Sequence, residues 1–247
     1  GAPTRFDPVG LSLFEDGEVR RLFVANAATK TVELFDVADD GDLEFLESFG
    51  ERRLTSPNDV VATGPRAFFV SNDLEPGRNS VLGAAHYFFR AGSGRIMHFD
   101  GVSWRVAADG LRFAGGLALS LDGKRLYATE TAAATLVIFD RDAATGNLTR
   151  VGSTPLGAAA ANITIDPTGT LWIGAQPKTL LPPSRSNTSA GSIVLGYDDL
   201  REIPSKPRVI FSDAGGQIAG ATVAARLGRT LLIGSPAEKK FLICDVP

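Results

Sequence analysis

Residues 116–120 read Gly-Leu-Ala-Leu-Ser, residues 124–129 read Lys-Arg-Leu-Tyr-Ala-Thr, and residues 135–140 read Thr-Leu-Val-Ile-Phe-Asp. Short apolar or alternating runs of this kind, separated by turn residues, are typical of antiparallel strands. Similar sets of runs begin near positions 9, 58, 162 and 221. Repeats that start about 45 to 60 residues apart are typical of propeller blades, so the sequence predicts an all-β propeller.

The composition restricts the class of protein further. The chain has 247 residues, of which 44% are hydrophobic and 21% charged, which is enough to bury the core of a single domain over residues 1–247. Its net charge of -3 and its scattered Lys and Arg residues argue against a nucleic-acid partner. No apolar run reaches the roughly 18 residues that a membrane span needs.

The most specific motifs lie in the second repeat. Residues 56–65 read Ser-Pro-Asn-Asp-Val-Val-Ala-Thr-Gly-Pro, and residues 69–73 read Phe-Val-Ser-Asn-Asp. They resemble the paraoxonase/arylesterase family of six-bladed, calcium-dependent lactonases, and weaker matches run nearly end to end. The resemblance covers the C-terminal two thirds of that family. It implies a six-bladed β-propeller of which this chain supplies about four and a half blades, the remainder coming from a missing or separate N-terminal segment.

The single cysteine, Cys244, cannot form an internal disulfide. One interpretation is a buried thiol on a strand. The resemblance implies another, a disulfide to an N-terminal fragment of the same precursor; a truncated chain and a shorter closed propeller are the alternatives. The sequons at Asn147, Asn162 and Asn187 are compatible with a secretory or extracellular location.

The resemblance also implies a calcium site, and several of its ligands are replaced here. Asn58 and Asn162 match two asparagine ligands of the family, whereas Gly115 and Ala161 stand where it has an asparagine and an aspartate. This predicts that the catalytic calcium is lost and that no cofactor is required. Asp59 matches a ligand of the family's second calcium, which predicts a structural calcium.

Three residues are candidate catalytic groups. His86 lies in segment 79–90, which has the pattern of a short helix or lid, and imidazole is suited to acid–base catalysis. The alternative is an ordinary, partly exposed histidine. Asp73 and Glu130 follow strands at positions that could face a pocket, although carboxylates of surface loops are commoner.

The candidate substrate-binding residues surround the expected pocket. Phe113 is predicted to form an apolar wall, and Gly115 and Ala161 a small apolar floor that accepts a bulky ligand. Asn58 and Asn162 either bind substrate or satisfy local backbone groups. Gln176 and Lys178 either donate hydrogen bonds to a developing oxyanion or are simply solvated.

Three functions are consistent with these observations. The first is a metal-free enzyme that cyclises, isomerises, condenses or performs cycloaddition on a hydrophobic natural-product intermediate, by holding a reactive conformer. The second is a calcium-dependent lactonase or arylesterase. The third is a propeller that binds a hydrophobic ligand without catalysis. All three predict a small hydrophobic partner.

Overall fold

A computed structural model describes residues 3–77, 80–178, 188–198 and 206–246. Contacts divide the chain into two compact units. The first consists of Gly1–Ala114 and Asp142–Leu148, and the second of Gly115–Arg141 and Thr149–Pro247.

The first unit contains two four-stranded sheets. The first sheet is formed by β1 (Pro8–Asp16), β2 (Val19–Asn26), β3 (Thr31–Val37) and β4 (Leu43–Gly50). The second sheet is formed by β5 (Pro57–Ala62), β6 (Phe68–Asn72), β7 (Gly94–Phe99) and β8 (Trp104–Leu111). Helix α1 (Val81–Phe88) lies in the connection between β6 and β7, within the segment predicted to form a short helix or lid.

The other three sheets belong almost wholly to the second unit. The third sheet is formed by β9 (Ala114–Leu119), β10 (Arg125–Glu130), β11 (Thr135–Arg141) and β12 (Leu148–Pro155). The fourth sheet is formed by β13 (Ala159–Ile165), β14 (Thr170–Gln176), β15 (Ser192–Asp198) and β16 (Arg208–Asp213). The fifth sheet is formed by β17 (Val223–Leu227), β18 (Thr230–Gly234) and β19 (Phe241–Asp245).

Every sheet is built from consecutive strands that pair with their neighbours in sequence order. This arrangement confirms the predicted all-β propeller fold. The prediction of about four and a half blades is corrected to five blade sheets within the described part of the chain, because the less regular repeat near position 221 still forms three paired strands. The six-blade total and the additional N-terminal segment stay predictions.

Aromatic side chains fill the core of the first unit. Phe68 in β6 packs against Phe23 of the first sheet, with ring centroids 5.5 Å apart. Phe49 and Phe99 approach to 4.9 Å. Trp104 closes the cluster with its ring edge directed at Phe68. Because aromatic pairs in these offset and edge-on arrangements bury large apolar areas, they hold the two sheets together.

In the second unit, the fourth sheet is covered on both faces. Alternate residues of β14 point to opposite sides, as the twofold period of a strand requires. Leu171 and Ile173 pack with residues of the third sheet. Trp172 packs with Leu231 and Ile233 of the fifth sheet.

The fifth sheet differs because one of its faces is exposed. Leu227, Leu232, Phe241 and Ile243 are between 42% and 75% exposed, and the register places Leu232 opposite Ile243. Among the residues that the structure describes, strand β19 pairs with β18 alone. The sheet therefore presents an apolar face and an open strand edge together.

Asp166 connects the fourth and fifth sheets. Its Oδ2 accepts a hydrogen bond from Trp172 Nε1 (3.0 Å) and lies 3.7 Å from Nη1 of Arg226 in β17. Burial alone would raise the pKa of Asp166, but hydrogen bonds from Thr168, Trp172 and the Thr170 main chain lower it below its ordinary value. The ionised carboxylate therefore stabilises the folded state.

We predict that Asp166→Asn lowers the free energy of unfolding at pH 7 by about 2 to 3 kcal/mol, because buried partners of the carboxylate lose a charge-assisted bond. Because the pKa of Asp166 is lower in the folded state than the unfolded value of 3.8, its ionised carboxylate stabilises the fold above that value. This stabilisation is lost as pH falls through the folded pKa, so the difference in unfolding free energy between the parent and Asp166→Asn should shrink in acid. Urea denaturation at several pH values measures it.

The control is Asp245→Asn. Asp245 and Arg229 form an exposed ion pair at 2.9 Å in the same region, and such pairs contribute less than about 1 kcal/mol. Equal destabilisation by the two substitutions, or a difference that is independent of pH, would contradict the role of Asp166.

Candidate functional site

The loop before β5 and the loop after β6 meet at one end of the second sheet. Asn72, the last residue of β6, accepts a hydrogen bond at Oδ1 from the Ser56 main-chain N–H (2.7 Å). The Asp73 N–H donates to the Ser56 carbonyl (3.0 Å). Asn72 is fully buried, so its amide has to find partners in the protein. These bonds fix the main chain just before Asn58.

Asn58 and Asp73 form a hydrogen-bonded pair. Asn58 Nδ2 donates to Asp73 Oδ2 at 3.4 Å. Asn58 is half-buried, but Asp73 is fully buried. Asp73 orients the amide of Asn58, which is the more exposed member of the pair. The role of Asp73 as a catalytic base stays a prediction.

Phe113 connects Asp73 to helix α1. Its φ of 66° lies in the left-handed region, which is rare for a bulky residue. This turn places the Ala114 N–H 3.3 Å from the Asp73 carbonyl, to which it donates. The Phe113 ring packs edge-on against Tyr87 of α1, with centroids 5.2 Å apart. Phe113 is thus a buried aromatic wall between α1 and the second sheet, and its contact with substrate stays a prediction.

Helix α1 holds His86 in a defined orientation. Ser80 caps the helix by accepting a hydrogen bond from the Gly83 N–H (2.9 Å). His86 Nδ1 lies 2.8 Å from Ser93 Oγ, and His86 is half-buried. With Nδ1 engaged, Nε2 is the ring nitrogen left for proton transfer. Ser93 is not among the residues singled out from the sequence, since only the turn after α1 brings it back to His86.

Asp59 lies near the same end of the second sheet, and its contacts connect neighbouring strands. Its N–H donates to Ser71 Oγ (2.9 Å), and its Oδ1 accepts the Val60 N–H (2.9 Å). The chain at Gly10 passes so close that a Cβ there would lie 2.4 Å from Asp59 Oδ1. Asp59 thereby joins the first and second sheets. Its calcium role stays a prediction.

In the second unit, hydroxyl groups occupy the space beside Gly115. A Cβ on Gly115 would lie 2.5 Å from Thr129 Oγ1 and 2.8 Å from Thr131 Oγ1. These hydroxyls donate to the carbonyls of Ala161 and Ala160, both at 2.7 Å. Two threonines from β10 and its following turn therefore place polar groups beside Gly115, and the apolar floor at Gly115 and Ala161 stays a prediction.

Glu130 and Gln176 end β10 and β14, and both are buried. Glu130 Oε2 accepts from Thr135 Oγ1 (2.8 Å) and lies 3.7 Å from Arg150 Nη2. Gln176 Nε2 donates to the Gly220 carbonyl (3.2 Å). Both side chains satisfy neighbouring groups of the fold. The roles of Glu130 as a catalytic base and of Gln176 as a substrate-binding residue stay predictions.

The other predicted residues of the second unit are dispersed. The Asn162 N–H donates to the Thr222 carbonyl (3.0 Å), and its side chain is half-buried in β13. Lys178 is exposed after β14. Cys244 is half-buried and packs against the cluster between the fourth and fifth sheets.

Two sequence predictions concern processing and location. Asn147 is exposed in the turn between β11 and β12, and Asn187 lies outside the described residues. In the part of the chain that the structure describes, no helix has the length and hydrophobicity needed to cross a membrane. Secretion and glycosylation stay predictions.

The donor set can be tested against the calcium that the resemblance implies. Among the described residues, no group of three or more His, Cys, Asp or Glu side chains is arranged to hold a metal ion. Gly115 and Ala161 offer no side-chain oxygen, and the Asp73 carboxylate is already bonded to Asn58. Calcium prefers six to eight oxygen ligands. The residues present therefore do not fit the family's catalytic site.

We predict that Gly115→Ala destabilises the protein by about 1 to 3 kcal/mol, since the new methyl group would overpack the Thr129 and Thr131 hydroxyls. Gly152 in β12 is the matched control, because a Cβ there meets nothing within 4 Å. Gly152→Ala should leave stability within about 1 kcal/mol of the parent. Thermal unfolding compares the two, and equal melting temperatures would contradict the crowding at Gly115.

Comparison with known proteins places this geometry in a family. The arylesterase family model matches residues 2–246. Serum paraoxonase/arylesterase 1 of Rattus norvegicus is 31% identical over 98% of this chain and 69% of its own length. Serum paraoxonase/lactonase 3 of Homo sapiens is 28% identical, with the same shares covered.

Solved structures support the fold alone. A chain of a nidogen/laminin complex has a TM-score of 0.61 at 14% identity, over 98% of this chain and 77% of that one. A periplasmic gluconolactonase of Pseudomonas aeruginosa has a TM-score of 0.54 at 17% identity, over 92% and 63%. The family match extends over nearly every residue, including the segments that carry Asn58, Asp73 and Phe113. The chain therefore belongs to the arylesterase family.

Proposed function

We propose that this protein hydrolyses esters or lactones, with aryl esters and simple lactones as its substrate class. The observation that carries the proposal is the match to the arylesterase family over residues 2–246. The relatives' names include arylesterase and lactonase activities. The end of the second sheet supplies a histidine, an oriented amide and an aromatic wall in one unit, which suits a carbonyl substrate.

In the proposed mechanism, His86 is the general base. Its Nδ1 is held by Ser93 at 2.8 Å, which fixes the plane of the imidazole ring. Nε2 takes a proton from water as the water oxygen adds to the carbonyl carbon. The same proton then passes to the departing alcohol oxygen when the carbon–oxygen bond of the tetrahedral intermediate breaks.

Asn58 binds the carbonyl group in this mechanism. Asp73 accepts one amide N–H of Asn58 and so fixes its orientation. The second N–H can donate to the oxygen that becomes negative in the intermediate. A preorganised donor stabilises such an oxyanion more than the ground-state carbonyl. Phe113 and Tyr87 would exclude water on one side.

The other two functions have less support. Neither the family match nor the relatives' names point to cyclisation, isomerisation, condensation or cycloaddition. The polar threonines beside Gly115 also give less support to a wide apolar floor. Binding of a hydrophobic ligand without turnover is an outcome of the same assay.

The first test is hydrolysis of phenyl acetate and of a δ-lactone by the full chain. We expect His86→Gln to lower kcat/KM by about 10²-fold to 10⁴-fold, the usual contribution of a general base. Asn58→Ala should lower kcat by about 10²-fold, as loss of an oxyanion donor does.

Asp100→Asn is the control. Asp100 is an exposed turn residue whose pKa is lowered to about 2 by hydrogen bonds from Ser103 and Val102, and it has no part in the mechanism. Unchanged turnover in correctly folded His86→Gln would remove His86 from the mechanism. Tight binding of both substrates with no turnover would favour the non-catalytic function.

A second test concerns calcium. Because the donor set does not fit the family's site, we expect turnover of the purified protein to survive EGTA within about twofold, which is far less than the effect of losing a Lewis acid. Abolition by EGTA and recovery with calcium alone would show that the ion is required. Magnesium addition after EGTA serves as the control for ionic strength.

We also propose that a further polypeptide segment adds a strand to β19 and covers the exposed face of the fifth sheet. Its support is the apolar face of Leu227, Leu232, Phe241 and Ile243, and the greater length of the relatives outside the matched region. An open, apolar strand edge favours pairing with an added strand. A disulfide through Cys244 is part of this proposal.

Native mass spectrometry of the unreduced protein from its producing cells tests the added segment. We expect a species heavier than 26.0 kDa, and its separation into two chains on reduction would identify the disulfide. A heavier single chain that leaves β19 amides protected from hydrogen exchange would support a segment in the same chain. A 26.0 kDa species with rapidly exchanging β19 amides would contradict the proposal.

A further inference from the structure

An ion pair lies at the same end of the second sheet as Asn58 and His86. Arg95 Nη2 is 3.1 Å from Glu75 Oε2. The two side chains differ in environment, since Arg95 is 15% exposed and Glu75 is 62% exposed. The pair therefore joins a largely buried cation to an anion that stands mostly in solvent.

The main chain places this pair next to the proposed site. Arg95 lies opposite Asn72 in the pairing of β6 with β7. The residue before it, Gly94, packs so tightly that a Cβ there would lie 2.7 Å from the Asp73 carbonyl oxygen. Arg95 is therefore the next residue after Gly94, which packs against the Asp73 carbonyl.

Glu75 can leave Arg95 without a change in the main chain. Its N–H donates to the Ser93 carbonyl (3.2 Å), and its carbonyl accepts from Thr55 Oγ1 (2.9 Å). These bonds fix the backbone at Glu75, so rotation of the side chain is sufficient. Water solvates the released Glu75 carboxylate, whereas the largely buried Arg95 guanidinium is left as an unpaired charge, which is costly unless another anion binds.

The guanidinium has capacity for a second bond. Nε and Nη2 of an arginine donate from the same edge and together can hold both oxygens of a carboxylate. Glu75 engages Nη2, while the buried Nε has no hydrogen-bond acceptor among the residues that the structure describes. A carboxylate seated squarely on this edge would satisfy both donors.

We propose that Arg95 forms a carboxylate subsite of the active site, and that Glu75 occupies it until a ligand carboxylate takes its place. The inference rests on the proposed function and names its substrate class more closely: esters and lactones that carry a free carboxylate. Because hydrolysis of any ester or lactone creates a carboxylate, the acid product is also a ligand of this subsite.

Benzoate binding to the full chain tests the subsite without requiring turnover. We expect Arg95→Met to weaken benzoate binding by about 10-fold to 100-fold in calorimetric titration, the effect of losing a charge-assisted hydrogen bond. Glu75→Gln should tighten it by at least about threefold, because the competing charge is gone. Arg53→Met is the control, since Arg53 pairs with Glu51 at 2.6 Å elsewhere in the same unit.

Turnover provides the second measurement. We expect 4-acetoxybenzoate to be preferred over its neutral methyl ester, and the ratio of their kcat/KM values to fall about 10-fold or more in Arg95→Met. Circular dichroism and thermal unfolding establish that each variant is folded. Arg95→Lys should recover part of benzoate binding, since the charge remains but the paired donors do not.

The outcomes separate the two proposals. Benzoate binding that depends on Arg95, in a protein that hydrolyses neither ester, would overturn the proposed hydrolysis and leave the subsite in place. Hydrolysis with equal preference for both esters in the parent and in Arg95→Met would overturn the subsite. Benzoate affinity that is unchanged by Arg95→Met and Glu75→Gln would overturn it as well.

Discussion

Buried polar side chains at the ends of second strands hold the loops on which the candidate site is built. Asn26, Asn72, Glu130 and Gln176 end the second strands of the first four sheets, and all four are buried. A buried amide or carboxylate has to be hydrogen-bonded, and the nearest partners are groups of the adjoining strands and loops. At Asn72 that partner is the Ser56 N–H, so this amide helps to fix the main chain that leads to Asn58.

A chain of contacts connects Asn72 to helix α1 within the first unit. The Asp73 main chain contacts Ser56 on one side and Ala114 on the other. Ala114 is positioned by the left-handed turn at Phe113, whose ring meets Tyr87 of α1. A change in the packing of α1 would therefore shift the Asp73 carboxylate, because the main-chain hydrogen bonds between them have little freedom to stretch.

The sequence predicted the fold better than the site. Repeats starting near 9, 58, 116, 162 and 221 correspond to the first strands of the five sheets, because strand periodicity and turn residues are local signals. Burial is not local. Asp73 follows a strand and Glu130 ends one, as many surface carboxylates do, and only the packing of distant residues determines that both are enclosed. The position of the Thr129 hydroxyl beside Gly115 could not be predicted from the sequence for the same reason.

The contacts of α1 illustrate a second limit of sequence analysis. Ser93 and Arg95 lie in a stretch with no recognisable motif, and each acquires a partner because the connection between β6 and β7 folds back on itself. Residues 20 positions apart, such as Glu75 and Arg95, have no signature in a single sequence. Their charges alone would fit an exposed surface pair of little consequence, and the unequal burial is what distinguishes them.

The proposed competition of Glu75 at Arg95 would have a consequence for turnover. A hydrolase that binds its acid product through a largely buried guanidinium risks slow product release, because such pairs dissociate reluctantly. Glu75 is tethered by its own backbone, so its carboxylate returns at an effective concentration in about the millimolar range or above. Only ligands that accept hydrogen bonds from both Nε and Nη2 of Arg95, or that gain apolar contacts elsewhere, can compete with the Glu75 carboxylate. The arrangement therefore favours weak retention of the product and rapid reopening of the site, which is what repeated hydrolysis of an ester requires.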